Sequence, residues 1–320
     1  MSCKRVYGMA TRDAYGKTLV ELGKENPNIV VLDADLSKST KSILFAKEFK
    51  DRFFNMGIAE ANMVSTAAGL ATCGKIPFAS SFASFLMCKT FDQLRMSVAN
   101  PHLNVKLVGS HGGISIGEDG ASQMGVEDIA LACALPGFVV MVPADEIATR
   151  ALVRLAAEHA GPVYIRTGRP KAPIVYQPGA RFEIGKANIL REGRDITVIA
   201  NGLLVQEAME AACLCSEKGI DVRVVDMHTV KPIDVDAIAQ SARTTGAIVT
   251  AEEHLLSGGL GAAVAQVAAE HFPVPMGFIG LRDTYAESGL PEELFQKYGL
   301  TAGHIVAEIE KTIKRKQVTN

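Results

Sequence analysis

The sequence predicts an α/β protein of two doubly wound domains, a parallel sheet first and a mostly parallel sheet after it. Three observations carry this. The chain has 320 residues, too many for one ordinary core and few for three. Apolar residues make up 48% of it and gather in unbroken runs such as Ile29-Val30-Val31-Leu32 and Val139-Val140-Met141-Val142, as in strands buried on both faces. Runs of this kind alternate with segments of helical period, the order that places parallel strands between crossover helices.

The first helix is expected to open at Thr11, with Thr11 as N-cap and Asp13 in the first turn. It should run to Glu25, where Asn26-Pro27 ends it. Strands follow at 29–32, 77–80, 105–109, 139–142 and 163–166, with helices at 41–49, 59–72, 84–99 and 145–160. From Thr167 to Gly185 the pattern gives way to Gly168, Pro170, Pro173, Pro178 and Gly179. Residues 1–170 are therefore read as the first domain, 171–184 as a linker and 185–320 as the second domain. The second run offers strands at 196–200, 222–226, 247–252 and 275–279, with helices at 205–217, 234–243, 261–271 and 301–314.

Composition narrows the function. The net charge is −2, and Lys314-Arg315-Lys316 is the one basic block, so nucleic-acid binding has little electrostatic support. Cysteines at 3, 73, 88, 133, 213 and 215 form no CxxC pair and read as free thiols in a reducing cytosol. The charged start Met1-Ser2-Cys3-Lys4-Arg5 has no apolar segment behind it and is not read as a secretory signal. The longest apolar stretch, 129–142, is broken by Pro136-Gly137 and falls short of the roughly 20 residues of a membrane span. A cytoplasmic protein without membrane attachment is expected.

Loops after the carboxyl ends of strands are where ligands bind in open α/β sheets. Three stand out: Asp33-Ala34-Asp35-Leu36-Ser37-Lys38-Ser39, the segment Gly109 to Gln123, and Arg166. In the second, glycines let the backbone approach a ligand, while His111, Glu118, Asp119 and Gln123 supply hydrogen-bonding and proton-transfer groups. The same segment reads equally as a surface loop with incidental polar residues. Ser257-Gly258-Gly259-Leu260-Gly261 lacks the spacing of a dinucleotide fingerprint and reads as a tight helix start. Glu60 opens a helix of small apolar residues, Val64, Ala67, Ala68, Leu70 and Ala71. Its carboxylate either satisfies the free N–H groups of that start or serves chemistry, and the residue alone does not decide.

Taken together, Gly57-Ile58-Ala59-Glu60-Ala61-Asn62-Met63, Ser81-Phe82-Ala83-Ser84-Phe85 and the loop Ser110 to Gln123 resemble the pyrimidine-binding domain of transketolases. Val230-Lys231-Pro232-Ile233-Asp234 and Glu252-Glu253-His254-Leu255 resemble the C-terminal domain of the same family. The resemblance spans nearly the whole chain. It implies transfer of a two-carbon ketol unit between sugar phosphates with thiamin diphosphate as cofactor. Glu60 would hydrogen-bond N1′ of the aminopyrimidine, with Phe82 and Phe85 packed around that ring. Asp35 and Ile58 would lie near the thiazolium, and Arg12, Ser39, His111 and Arg166 would bind substrate phosphate. Asp119 would recognise a sugar hydroxyl. Gln123, where several members carry histidine, would count among the cofactor-binding residues, hydrogen-bonding the intermediate's hydroxyl without shuttling a proton. Glu60 and His111 are the catalytic residues this implies.

Two departures matter. A third aromatic position is filled by Met87-Cys88-Lys89, leaving Phe91 as the nearest ring. The Gly-Asp-Gly and Asn pair that holds Mg²⁺ or Ca²⁺ on the cofactor's diphosphate in the family is missing; Gly117-Glu118-Asp119-Gly120 belongs to the substrate loop. The resemblance therefore implies a partner subunit carrying the diphosphate-binding domain and the metal, in an α₂β₂ assembly. Two other readings stand beside it: the β subunit of a 2-oxo acid dehydrogenase E1 component, and a non-catalytic interaction subunit.

Overall fold

The apolar runs become the strands of two sheets. A computed structural model describes residues 5–319; Cys3 and the start of the charged N-terminus lie outside the described residues. Across the first sheet the strands are Thr229–Lys231, Val139–Met141, Val163–Arg166, Lys106–Ser110, Ile76–Phe82, Ile29–Asp33 and Phe53–Asn55. The last six are parallel, and Thr229–Lys231 closes one edge antiparallel. The second sheet runs Met276–Leu281, Ile248–Leu255, Ile196–Ala200, Val222–Asp226 and Asn188–Arg191, the last antiparallel. Tyr7–Ala10 and Lys171–Pro173 pair as a separate antiparallel ribbon. The doubly wound, mostly parallel architecture is the expected one. One continuous core joins the sheets, packing Phe82, Ile114, Ile116 and Val126 with Val198, Val224 and Val249.

Departures are local and have local causes. Ala10, not Thr11, sits at the cap of helix Thr11–Glu25, without a side-chain cap bond. Thr11 Oγ1 instead accepts from Gly168 N at 2.7 Å. The helix expected over 41–49 is two short ones, Ser37–Thr40 and Ile43–Glu48, hinged at Lys41 with φ 71°. Asp33 forces that hinge: its carboxylate collects Leu36 N and the hydroxyls of Thr40 and Ser42 at 2.6–2.8 Å. The helix expected over 84–99 breaks into Ala83–Cys88, Phe91–Gln93 and a π turn, Leu94–Ala99. Thr90 marks the break, its hydroxyl donating to Leu86 O at 2.6 Å. Asp128–Ala134 is a helix hidden in the apolar run over 129–142. Cys73, Cys88, Cys133 and Cys215 are free thiols, whereas Cys213, expected to be free, is disulfide-bonded.

The segment 171–184 is fastened through Asp145. That fully buried carboxylate caps helix Glu146–Glu158, accepting from Ile147 N and Ala148 N at 2.9 and 2.8 Å. Its other oxygen accepts from Val175 N and Tyr176 N, each at 2.9 Å. Replacing Asp145 by alanine orphans four N–H groups, two buried and two part-buried, and is expected to cost about 3 kcal/mol in urea unfolding. A loss below about 0.5 kcal/mol, the range of ordinary surface substitutions, would refute this role.

Candidate functional site

Four adjacent parallel strands end on one edge of the first sheet, and their carboxyl ends carry Asp33, Phe82, Ser110 and Arg166. Helix Glu60–Thr72 packs against this sheet through Met63, Val64, Ala67 and Ala68. Glu60 is thereby held at a helix start with 5% of its surface exposed. Its Oε1 accepts from Lys89 Nζ at 2.8 Å, and that ammonium also lies 4.2 Å from the centre of the Phe85 ring. Phe82 and Phe85 stack at 5.5 Å, and Phe82 in turn stacks on His111 at 3.9 Å. Phe91 does not reach this group; it packs on the core beneath, with Met63, Leu86 and Leu94.

His111 links the rings to a cationic mouth. It adopts φ 59°, which turns its ring toward Arg12. Arg12 Nη1 donates to His111 Nε2 at 2.9 Å and to Ser39 O at 3.2 Å. A guanidinium only donates, so Nε2 carries no proton. The proton sits on Nδ1, which donates to Ser110 Oγ at 2.8 Å. Burial, then the charges of Arg12, Arg169 and Lys41, push the His111 pKa down to about 3. Arg169 joins this mouth: it donates to Ile116 O, pairs with Glu118 at 3.0 Å and lies 3.8 Å from Asp119.

Arg166 does not join them. Its side chain is 5% exposed, and its guanidinium donates to the backbone carbonyls of Glu253 (2.8 Å) and Gly125. Its Nε lies 3.1 Å from Asp128 Oδ2, an ion pair without the alignment of a hydrogen bond. Both terminal nitrogens donate to buried backbone carbonyls and Nε faces Asp128, so the phosphate role expected for Arg166 does not fit. Arg169, three residues on and half-buried, has the placement expected of Arg166. No sequence signal separated the two arginines, because the path of the chain beyond the strand end at Arg166 decides which one faces out.

The remaining expected residues lie around this centre. Asp35 is exposed at φ 63° and pairs with Asn55, whose Nδ2 donates to Asp35 Oδ1 at 3.0 Å. Asn55 Oδ1 also accepts from Asp35 N and Gly57 N, so one side chain that the sequence reading overlooked braces both turns beside Glu60. Ile58 is 80% exposed, an uncovered apolar group at the rim. Gln123 is half-buried, its backbone carbonyl accepting from Ser84 Oγ at 3.1 Å. In the second sheet, Glu252 accepts from Leu260 N and Gly261 N, both at 2.7 Å. The protein's own carboxylate thus fills the start of helix Leu260–His271, where a phosphate would otherwise sit.

Residues 7–174 match the family described as transketolase, pyrimidine binding domain, and residues 185–305 match transketolase, C-terminal domain. The chain belongs to the transketolase family. It is 47% identical to a transketolase C-terminal section of Methanocaldococcus jannaschii, over 95% of this chain and 96% of that one. It is 42% identical to a 6-deoxy-6-sulfo-D-fructose transketolase subunit of a Clostridium species, over 95% of each. A solved split-gene transketolase, described as an inactive β4 tetramer, superposes with a TM-score of 0.91 at 53% identity, covering 97% of this chain and 100% of that one. The match to human transketolase, at 40% identity, covers 96% of this chain and 49% of that protein. This chain corresponds to the C-terminal part of a split transketolase. Among the described residues no group of three or more His, Cys, Asp or Glu is placed to hold a metal ion. No helix among them is long and apolar enough to cross a membrane.

The state of His111 is open to direct measurement. Its folded pKa lies below the ordinary 6.5, so between about 6.5 and about 3 the unfolded chain binds a proton that the folded chain refuses. Stability is therefore lost as pH falls through that window. In NMR the ring resonances of His111 should hold their neutral positions from pH 8 down to about 4, and Arg12→Ala should move the midpoint upward. A midpoint near 6.5 in the unaltered chain would contradict the tautomer deduced from Arg12.

Proposed function

We propose that this chain is one half of a thiamin diphosphate-dependent transketolase, moving a two-carbon ketol unit between sugar phosphates once a subunit with the diphosphate-binding domain docks on it. One observation carries the reading. A buried carboxylate, two stacked aromatic rings and a cationic mouth with a neutral imidazole stand side by side at the carboxyl edge of one sheet. A buried acid beside aromatic faces fits a flat, hydrogen-bonding heteroaromatic ring. Among the described residues no acidic or histidine cluster is placed for a metal-bound diphosphate, and in this reading the partner subunit would bring Mg²⁺ or Ca²⁺.

When bound, thiamin diphosphate supplies a carbanion at C2 that carries the ketol unit. The residues here would hold and orient. Glu60 would share a hydrogen bond with N1′, and Phe82 and Phe85 would fix the ring plane. Arg12 and Arg169, rather than Arg166, would grip the substrate phosphate with Ser39, while neutral His111 accepts from a substrate hydroxyl through Nε2. Asp119 and Gln123 would bind sugar hydroxyls, and Asp35 and the uncovered Ile58 would meet the thiazolium side. In this reading residues 1–170 form the pyrimidine-binding domain, 171–184 connect, and 185–320 form the C-terminal domain of an α₂β₂ enzyme of the cytoplasm.

Mixing experiments test this. Ribose 5-phosphate with xylulose 5-phosphate should be turned over only when both halves are present, and Glu60→Gln should lower kcat by about 10²–10⁴-fold. Turnover of pyruvate with an electron acceptor, and none of the sugar phosphates, would overturn the reading. Calorimetry should find no tight binding of thiamin diphosphate by the isolated chain.

The two arginines should separate in kinetics and stability. Arg169→Met should raise KM for sugar phosphates about 10–100-fold with little change in melting, since one charge-assisted pair to phosphate is lost. Arg166→Met should instead destabilise the fold by about 3–5 kcal/mol, leaving Asp128 buried without its cation. The reverse pattern would return the phosphate role to Arg166.

A further inference from the structure

Lys89 closes the place that Glu60 and Phe85 together would offer to a ring. One ammonium touches both surfaces, 2.8 Å from Glu60 Oε1 and 4.2 Å from the Phe85 centroid. The lysine side chain is 47% exposed, while that of Glu60 is 5% exposed. A buried carboxylate is thus matched by a cation on a flexible four-carbon stem that can rotate into water without backbone movement. Among the described residues Lys89 is the one side-chain donor to Glu60. Lys89 also belongs to the segment Met87-Cys88-Lys89 that stands where a third ring is missing.

We propose that Lys89 is a displaceable stand-in for the aminopyrimidine. Without cofactor it neutralises Glu60 and covers Phe85; on loading it swings to solvent, so this lysine sets cofactor affinity. The inference rests on the cofactor reading above. A half-exposed ion pair together with a cation–π contact sets the cost of displacement at about a factor of ten. The alternative is a permanent positioning residue that stays on Glu60 and touches the bound ring.

Two measurements on the full chain assembled with a subunit carrying the diphosphate-binding domain separate these. In calorimetric titration with thiamin diphosphate and Mg²⁺, Lys89→Met should bind about tenfold tighter than the unaltered complex, and Lys89→Arg should bind as the unaltered one does. In amine acetylation read by mass spectrometry, Lys89 of the unaltered chain should label faster once cofactor is added. Equal or weaker binding by Lys89→Met, or protection of Lys89 by cofactor, overturns the stand-in and leaves the cofactor reading in place. Absence of binding in both complexes overturns the two together.

Discussion

Arg166 ties the two sheets together where the polar loop crosses between them, and the geometry of that loop depends on it. Its guanidinium binds carbonyls from both sides of the junction, Gly125 in the first unit and Glu253 in the second. Around it, Tyr164 donates to Asp128 at 2.6 Å, and the Glu253 carboxylate accepts from Ser115 N at 2.5 Å. Burial raises the Glu253 pKa to about 7, against the pull of Arg166 and Ser115. Breaking one member of such a group leaves an unmatched buried charge, so the cluster holds together as a unit. The loop glycines follow from this. A Cβ on Gly112 would stand 2.1 Å from Arg166 Nε, and one on Gly113 would stand 2.2 Å from Glu253. The backbone lies flat on the buried charges, and His111, Asp119 and Gln123 inherit fixed positions from it.

Strands whose signal lies in their own residues were legible. Ile196–Ala200 is a continuous β-branched and apolar run and Val222–Asp226 carries three valines in five residues, and both form strands where expected. Phe53–Asn55, Asn188–Arg191 and Thr229–Lys231 were not foreseen. Each has three or four residues and lies at a sheet edge, so its identity comes from a neighbour distant in sequence. Helix boundaries failed for a different reason. Asp33 and Thr90 redirect the chain by side-chain bonds to backbone and hydroxyl groups, a local competition that apolar periodicity does not register.

At the candidate site, residue types were readable and directions were not. Phe82 and His111 stand at the carboxyl ends of adjacent strands, and Glu60 and Phe85 lie in the first turns of helices that follow strands of the same sheet, an outcome a strand-then-loop reading can anticipate. Arg12 reaches them from the start of helix Thr11–Glu25, which follows the separate ribbon. The choice between Arg166 and Arg169 depends on the path of the chain past the end of its strand, and the roles of Asn55 and Lys89 depend on contacts across 20 and 29 positions of sequence. Such contacts exist only after the sheet has formed.

The buried acids show why the Glu60 end of the site is open to exchange while the Arg166 end is not. Asp145 is held by four backbone N–H groups, Glu252 by two, and Asp234 by two. Asp33 is held by one N–H and two buried hydroxyls, and Asp128 by Arg166 and Tyr164. All these donors are built into the fold and cannot leave without unfolding part of it. Glu60 differs, since its donor is a lysine half in solvent. A carboxylate so placed keeps its counter-charge at little cost in rigidity, and a better-fitting hydrogen-bonding ring can replace that charge without disturbing a helix or a strand. Ile58, two residues away, is likewise held by little of the surrounding fold, with 80% of its surface exposed.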